Sequence, residues 1–204
     1  MKKKFLNYSK SLIIKYNHEY STEDMERIIY GLEVVYLTIT KTLILLPVAY
    51  FLGLFKEVMI FTFFFGLLRC FTYGIHASKS STCLVTSSIT FLGAAYLSNN
   101  IILSNFVLGI GAIIFLTLFY LYAPADTENK PLVNRKKRHF SKVGALFITC
   151  IYIFCFFILG NVIIINLLFL SLFTAALMIL PITYKLANAK YNNYKSYTAI
   201  KSRA

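Results

Sequence analysis

The sequence is poor in charge, and negative charge is the scarcer sign. Only 14% of the 204 residues are charged, with eight Asp or Glu residues in total. A soluble globular domain normally carries about 25% charged residues, so this composition excludes an ordinary soluble domain. The 58% share of hydrophobic residues instead predicts a polytopic membrane protein that forms one helical bundle.

Metal-ligand spacing is also missing. Cys70, Cys83, Cys150 and Cys155 do not form the paired spacings that bind zinc, and the sequence predicts neither a metal nor another cofactor. The basic start Met1–Lys4 is not followed by a long apolar stretch with a small-residue cleavage site. We therefore expect no cleavable signal peptide.

The net charge of +13 has two explanations. Strongly basic proteins often bind nucleic acid. In membrane proteins, however, Lys and Arg accumulate in cytoplasmic segments. We predict the second case, with membrane lipid as a partner and no nucleic acid.

Hydropathy predicts an all-α protein with about six transmembrane helices after an amphipathic N-terminal segment. Apolar residues recur every three or four positions through residues 3–20, which predicts a helix on the membrane surface or, equally, one packed on the bundle. Ser21 and Asp24 resemble a capping box that starts the next helix, and this helix can continue into the first span. The predicted spans are 34–53, 57–74, 84–98, 101–123, 143–160 and 162–182.

These elements predict a single membrane-embedded domain over residues 1–204. It comprises N-terminal helices (1–33), a six-span bundle (34–182) and a basic tail (183–204). With six spans, the basic N-terminal segment, the basic connection after the fourth span and the basic tail all fall on one side. The positive-inside rule puts that side, with both termini, in the cytoplasm of a cell-membrane protein.

The polar stretch from Arg69 to Cys83 contains the residues best suited to chemistry. An imidazole can take the proton of a thiol, and the resulting thiolate is a strong nucleophile. His76 and Cys83 are seven positions apart, about 10.5 Å along a continuous helix, whereas proton transfer needs about 3 Å. A dyad therefore requires a break, which Gly74 and the nearby serines favour. The alternative is an incidental His and Cys in a membrane-edge loop.

Two blocks of this sequence resemble the accessory gene regulator B (AgrB) family. Residues 122–132 resemble its Ala-Pro-Ala…Lys-Pro segment and are followed, as in that family, by a basic run. The polar stretch resembles its catalytic segment, through Arg69, Gly74, His76, Ala77 and Cys83. The blocks occur in the family's order, and the resemblance covers essentially the whole chain.

The resemblance implies a membrane cysteine endopeptidase that processes an AgrD-like signal pro-peptide in quorum sensing. Such a substrate has an amphipathic leader, a central segment with an internal Cys or Ser, and an acidic tail. Cys83 would be the nucleophile and His76 its base, and release of the tail would lead to a thiolactone or lactone ring. By the positive-inside rule, this site would face the cytoplasm. Gly74 is a supporting residue, and Arg69 would stabilise the oxyanion, hold the tail's carboxylates or anchor the membrane boundary.

The predicted loop 124–142 contains the basic run Arg135, Lys136, Lys137 and Arg138. Its simpler role is to set topology and contact lipid headgroups, and its more specific role is to clamp an acidic peptide. Asp126 or Glu128 are possible partners for His76, although the sequence predicts no contact. A homodimer is expected for so small a bundle.

Two other functions fit the same composition. In a transporter or channel for a peptide, Lys41 within the first span and the polar third span would line a path, but the middles of the spans carry no acidic residue for an ion relay. A non-catalytic membrane scaffold is the second alternative. A requirement for Cys83 in peptide cleavage would separate the peptidase from both.

Overall fold

The computed structural model describes residues 2–16, 22–75, 80–127 and 132–195. Within these ranges the chain forms eight helices. They are α1 (Lys2–Tyr16), α2 (Thr22–Phe51), α3 (Phe55–Thr72), α4 (Ser80–Asn100), α5 (Asn105–Tyr122), α6 (Arg135–Ile158), α7 (Val162–Ile179) and α8 (Pro181–Leu186).

The chain divides into two compact units, Met1–Val48 and Ala49–Ala204. In the first unit, Phe5 of α1 stacks on Tyr36 of α2 with 5.3 Å between ring centroids. The continuous course of α2 over 30 residues confirms that the second helix continues into the first predicted span. Ser21, the first residue of the predicted capping box, lies outside the described residues.

Helix α7 is the centre of the second unit. It contacts α3, α4, α5, α6 and α8, and its buried positions carry leucine and small residues. Small side chains let neighbouring helices approach closely in a membrane bundle. The core therefore lies around α7, and the outer helices turn large apolar side chains outwards.

The outward-facing surface is apolar over much of its area. Its exposed large side chains include Phe63, Ile89, Ile113, Phe147 and Phe154. Because a soluble monomer rarely exposes such a surface, the arrangement is typical of helices surrounded by lipid. The all-α, polytopic membrane class is confirmed. Among the described residues, five helical segments are long and apolar enough to cross a membrane: Gly31–Phe51, Ser81–Asn100, Asn105–Tyr122, Arg135–Ile158 and Val162–Ile179.

Helix α3 corresponds to the remaining predicted span. It is 18 residues long and carries Lys56, Glu57 and Arg69 near its ends. At its middle, the Phe64 carbonyl accepts a hydrogen bond of 2.9 Å from the Tyr152 hydroxyl, in the second half of α6. Helix α3 therefore packs against a helix that is long and apolar enough to cross the membrane.

Several of the predicted boundaries were wrong, including the start of the fourth span, because α5 begins at Asn105 and not at residue 101. The predicted loop 124–142 does not extend to its end, because α6 begins at Arg135. Asn134 caps this helix by accepting hydrogen bonds from the Lys136 and Lys137 amides, at 2.9 and 3.3 Å. The predicted third span, 84–98, is shorter than α4. Hydropathy marks charged and hydroxyl residues as loop, although such residues form helical turns at the edge of a membrane.

The end of the bundle opposite the basic run is joined by a buried amide. Asn166 of α7 donates hydrogen bonds from Nδ2 to the carbonyls of Ser98 (3.0 Å) and Ile101 (2.6 Å). This contact ties α7 to the turn between α4 and α5. The polar loops that carry the sequence motifs lie at the other end, where α3, α5 and α7 finish.

Candidate active site

The helical chain breaks between α3 and α4, as a catalytic dyad requires. Helix α3 ends at Thr72, and Tyr73 and Gly74 follow with φ angles of 55° and 100°. Helix α4 begins at Ser80 and carries the half-buried, free thiol of Cys83 in its first turn. His76 lies outside the described residues, so its distance from Cys83 stays a prediction.

Arg69 holds the loop that leads to His76. Its Nη1 donates a hydrogen bond to the Tyr73 carbonyl. Its Nη2 donates to the Ile75 carbonyl at 3.0 Å and, more weakly, to the Gly74 carbonyl at 3.4 Å. Three successive carbonyls therefore converge on one guanidinium, which fixes the backbone just before His76.

Gly74 is pressed against the end of α7. A Cβ atom at this position would lie 2.7 Å from the Met178 carbonyl oxygen and 2.5 Å from Nη1 of Arg69. The same Met178 carbonyl accepts a hydrogen bond of 3.2 Å from the Ile75 amide. Both the positive φ angle and the close approach require glycine here.

The two motif blocks meet in space. The Ala125 amide donates to the Thr72 carbonyl at 3.0 Å, and the Gly74 amide donates to the Ala125 carbonyl at 2.8 Å. Tyr73 and Ala125 thereby form a short parallel bridge. Pro124 follows the last turn of α5, which ends at Tyr122, one residue before the predicted end of the fourth span.

Asp126 is buried and binds backbone amides, a role that sequence reasoning missed. It is 3% exposed. Its Oδ1 accepts a hydrogen bond from the Asn193 amide at 3.0 Å, and its Oδ2 accepts from the amides of Tyr194 (2.8 Å) and Leu132 (3.3 Å). A role for Asp126 in orienting His76 stays untested, since His76 is not described. The carboxylate ties the C-terminal segment to the Ala-Pro-Ala block.

Tyr184 of α8 supports the same block. Its hydroxyl donates a hydrogen bond of 3.0 Å to the Asp126 carbonyl. Burial raises the pKa of this phenol above its ordinary value, while the nearby Arg69 charge lowers the pKa and the Asp126 charge raises it. The net shift is upwards, so Tyr184 keeps its proton near neutral pH and remains a donor.

We call the paired segments around Tyr73 and Ala125 the junction. A basic groove of about 680 Å³ opens beside this junction. Its walls are the end of α5, the start of α6 and the segment 191–195. Arg135, Arg138, His139 and Lys142 line it at the three- and four-residue spacing of one helix face. Among the described residues of its lining, none is acidic. Of the four residues of the basic run, Arg135 and Arg138 line the groove, whereas Lys136 and Lys137 do not.

Aromatic rings position two of the groove's cations. The Arg138 guanidinium carbon lies 3.9 Å from the centroid of the Tyr194 ring. The Lys142 ammonium lies 4.6 Å from the centroid of the Tyr120 ring. Stacking of this kind holds a cation in place and leaves its N–H groups available to an anion. In the described part of the chain, no three His, Cys, Asp or Glu side chains are grouped as metal ligands would be.

Fold and junction together define a multi-pass membrane protein in which two distant polar segments are joined at one end of a helical bundle. A family model described as Accessory gene regulator B matches residues 7–180. The chain belongs to this family. It therefore functions in the accessory gene regulator system of quorum sensing, and an AgrD-like pro-peptide is the implied substrate.

Similar proteins extend over nearly the same length. An AgrB-like protein of Clostridium acetobutylicum is 34% identical over 90% of this chain and 89% of its own. An AgrB-like protein of Listeria innocua is 32% identical over 91% of each chain. A second AgrB-like protein of Clostridium perfringens is 30% identical over 72% of each chain. No solved structure matches the chain.

Proposed function

We propose that the protein is a membrane cysteine endopeptidase that removes the C-terminal tail from an AgrD-like pro-peptide. The supporting observation is the backbone pairing of Tyr73 with Ala125. This pairing joins the loop before His76 to the Ala-Pro-Ala segment beside the basic groove. Cleavage of purified precursor by the full chain in liposomes, dependent on Cys83, is the test of this activity.

In the first step, the sulfur of Cys83 attacks the carbonyl that joins the central segment of the substrate to its tail. His76 takes the thiol proton and returns it to the amine of the departing tail. The carbon–nitrogen bond breaks, and the central segment remains on Cys83 as a thioester. Negative charge develops on the carbonyl oxygen of the substrate. The first backbone N–H groups of a helix have no hydrogen-bond partner within that helix, and this holds for the start of α4. We assign these groups to stabilise that oxygen.

In the second step, an internal thiol or hydroxyl of the substrate attacks the thioester. His76 takes the proton of this attacking group and passes it to the departing sulfur of Cys83. The carbon–sulfur bond to Cys83 breaks, the free thiol is regenerated, and the substrate closes as a thiolactone or lactone. Exchange of one thioester for another is nearly isoenergetic, whereas conversion of an amide to a thioester is uphill. Departure of the tail therefore draws the reaction forward, and this chemistry needs neither ATP nor a metal.

Arg69 acts in this proposal as a positioning residue. Its donors bind the carbonyls of Tyr73, Gly74 and Ile75, which directly precede His76. A guanidinium that binds these three carbonyls orients the loop that leads to His76, the proposed base. We therefore favour this role for Arg69 over stabilisation of the oxyanion or binding of the substrate tail.

The basic groove is the proposed site for the acidic tail of the substrate. Negative charge is stabilised at a helix N-terminus, yet α6 begins with four basic residues and has no acidic residue in its first turn. A bound carboxylate would relieve their mutual repulsion. Arg135 and Arg138 face the groove, so they are the members of the basic run that we assign to substrate binding.

Replacement of both Arg135 and Arg138 by Gln should weaken precursor capture and leave the chemical step intact. Exposed ion pairs contribute about 0.2–1 kcal/mol each, so the half-saturating precursor concentration should rise about tenfold. Raising the salt from 0.1 to 1 M should reproduce this rise, because the Debye length falls from about 10 to about 3 Å. Single-turnover cleavage in liposomes, titrated with precursor, measures both the half-saturating concentration and the rate of the chemical step.

Lys136→Gln combined with Lys137→Gln is the matched control. This pair removes the same charge from the same helical turn but from side chains outside the groove, so half-saturation should stay near wild type. Equal effects of the two pairs would mean that only the overall charge matters. No effect of the arginine pair in correctly inserted protein would remove the groove from the substrate site.

The junction and the groove are proposed to face the cytoplasm. Basic residues cluster at this end of the second unit, around Arg135–Lys142 and Lys185–Lys195. The turns 101–104 and 159–161 at the opposite end carry neither Lys nor Arg. The positive-inside rule then orients the bundle.

Single cysteines in a cysteine-free variant should report this orientation. Cysteines at Ser81 and Ala187, both exposed, should react with an impermeant thiol reagent only from the cytoplasmic side. A cysteine at Asn100, also exposed, should react only from outside. Labelling after detergent solubilisation controls for reactivity, and labelling of positions 81 and 100 from the same side would disprove the orientation of α4.

A further inference from the structure

We propose that the C-terminal segment 191–195 forms one wall of the substrate site and that Asp126 is the positioning residue that holds it there. This inference rests on the proposed function, since it adds a part to the same site. The segment follows α8 and carries no sequence motif. Its place in the fold, opposite the first turns of α6, gives it this role.

The segment contributes a large part of the groove's lining. Tyr191, Asn192, Tyr194 and Lys195 face the groove across from Arg135 and Arg138. Tyr194 carries the ring on which the Arg138 guanidinium lies. Without this segment the groove would lose a wall, one cation and the surface that orients Arg138.

Asp126 holds the segment through its backbone. Its two carboxylate oxygens accept hydrogen bonds from the amides of Asn193 and Tyr194, at 3.0 and 2.8 Å. Hydrogen bonds to an ionised acceptor are about twice as strong as neutral ones. Asp126 and Asn193 are 3% and 4% exposed, so little water competes for these bonds.

The segment 191–195 is also linked to the loop before His76, because its partner Asp126 is next to Ala125 in the chain. Ala125 directly precedes Asp126 and pairs with Tyr73. Pro124, on its other side, lines the groove. A peptide tail bound between α6 and the segment 191–195 would therefore lie against the block that also fixes the loop before His76.

The chemistry of the groove suits a chain of carboxylates. Arg135, Arg138, Lys142 and Lys195 supply positive charge, and none of the described lining residues is acidic. An arginine held on a ring presents a planar set of donors that matches a carboxylate. We therefore assign an acidic peptide to the groove, and a lipid phosphate is the competing outcome of the test.

The first test measures peptide binding by the full chain carrying Cys83→Ala, in nanodiscs of phosphatidylcholine. The probes are a fluorescent oligoglutamate peptide and an oligoglutamine peptide of equal length. Only the oligoglutamate should bind, and Tyr194→Ala should weaken its binding about fivefold. Tyr194→Phe keeps the ring and should recover most of this loss. Tyr96→Ala, at an exposed position on α4, should bind as wild type.

The second test follows Asp126 directly. Asp126→Asn replaces one acceptor oxygen by an NH2 group, so the amides of Asn193 and Tyr194 cannot both keep their bonds. Their hydrogen exchange should become at least tenfold faster, and oligoglutamate binding should weaken. Tyr194→Ala should weaken binding without this general rise in exchange, so the proposal stays testable if Asp126→Asn does not fold.

Several outcomes would overturn the proposal. Unchanged oligoglutamate affinity in both Tyr194→Ala and Asp126→Asn would show that the segment 191–195 is not a wall of the substrate site. Displacement of the probe by phosphatidylglycerol, together with normal precursor affinity in Tyr194→Ala, would assign the groove to lipid. In the cleavage assay, the proposal requires that Tyr194→Ala raise KM with kcat unchanged, and a fall in kcat alone would contradict it.

Failure of the proposed function gives a different pattern. If the wild-type chain binds oligoglutamate through Tyr194 but releases no tail from any precursor, the peptidase proposal fails and the wall stands. If the wild-type chain cleaves precursor through Cys83 but Tyr194 and Asp126 do not affect binding, the wall fails and the peptidase stands.

Discussion

The Cys83→Ala variant should release no tail from purified precursor, although it should insert and express as wild type does. Alanine keeps the helical first turn of α4 but removes the sulfur that forms the thioester. His76→Ala should have the same effect, because the thiol then has no base. The measurement is tail release by the full chain in liposomes, with insertion checked by protease protection.

The other cysteines provide the controls. Cys150 is exposed and Cys155 is half-buried, and both are free thiols in α6. Cys150→Ala and Cys155→Ala should cleave normally. Cys83→Ser should retain only a small fraction of the activity, since a hydroxyl is far less acidic than a thiol. Tail release by Cys83→Ala above the rate without enzyme would end the dyad hypothesis.

The sequence predicted the helices well because their signal is local. Apolar runs of about the length needed to cross a membrane correspond to α2, α5 and α7. The break after α3 was also predictable, since Gly74 disfavours a continuous helix. What these patterns could not provide was the distance between His76 and Cys83.

The start of α6 was missed because hydropathy responds to charge and not to backbone conformation. A usable signal was present, since Asn134 stands directly before a run of good helix formers, as an N-cap does. With that signal, the basic run becomes the first turn of a helix. The separation of Arg135 and Arg138 from Lys136 and Lys137 then follows from helical spacing.

The contact between Asp126 and the segment 191–195 was beyond sequence reasoning. The carboxylate binds backbone amides, and every residue except proline has such an amide. No pattern of side chains therefore marks the partner. The one available hint was a carboxylate directly after the apolar fourth span, in a chain with only eight acidic residues, because a buried charge requires partners.

Gly74→Ala should reduce cleavage about 100-fold while the helical bundle still forms. A left-handed conformation costs an L-residue about 1–2 kcal/mol, and Gly74 has a φ angle of 100°. Its new Cβ would also lie 2.7 Å from the Met178 carbonyl oxygen, a backbone atom that has little freedom to move. The loop before His76 must therefore shift, and a displacement of about 1 Å at a catalytic group can cost about 100-fold in rate.

Three other glycines separate the possible causes of that loss. A Cβ atom added at Gly66 in α3 or at Gly93 in α4 would meet open space, with nothing within 4 Å, so their alanine variants should cleave as wild type. Gly53 has a φ angle of 70° but also has nothing within 4 Å. Gly53→Ala should therefore lower thermal stability without lowering kcat. If Gly74→Ala behaves like Gly53→Ala, with normal kcat, then contact with Met178 does not position the loop of the base.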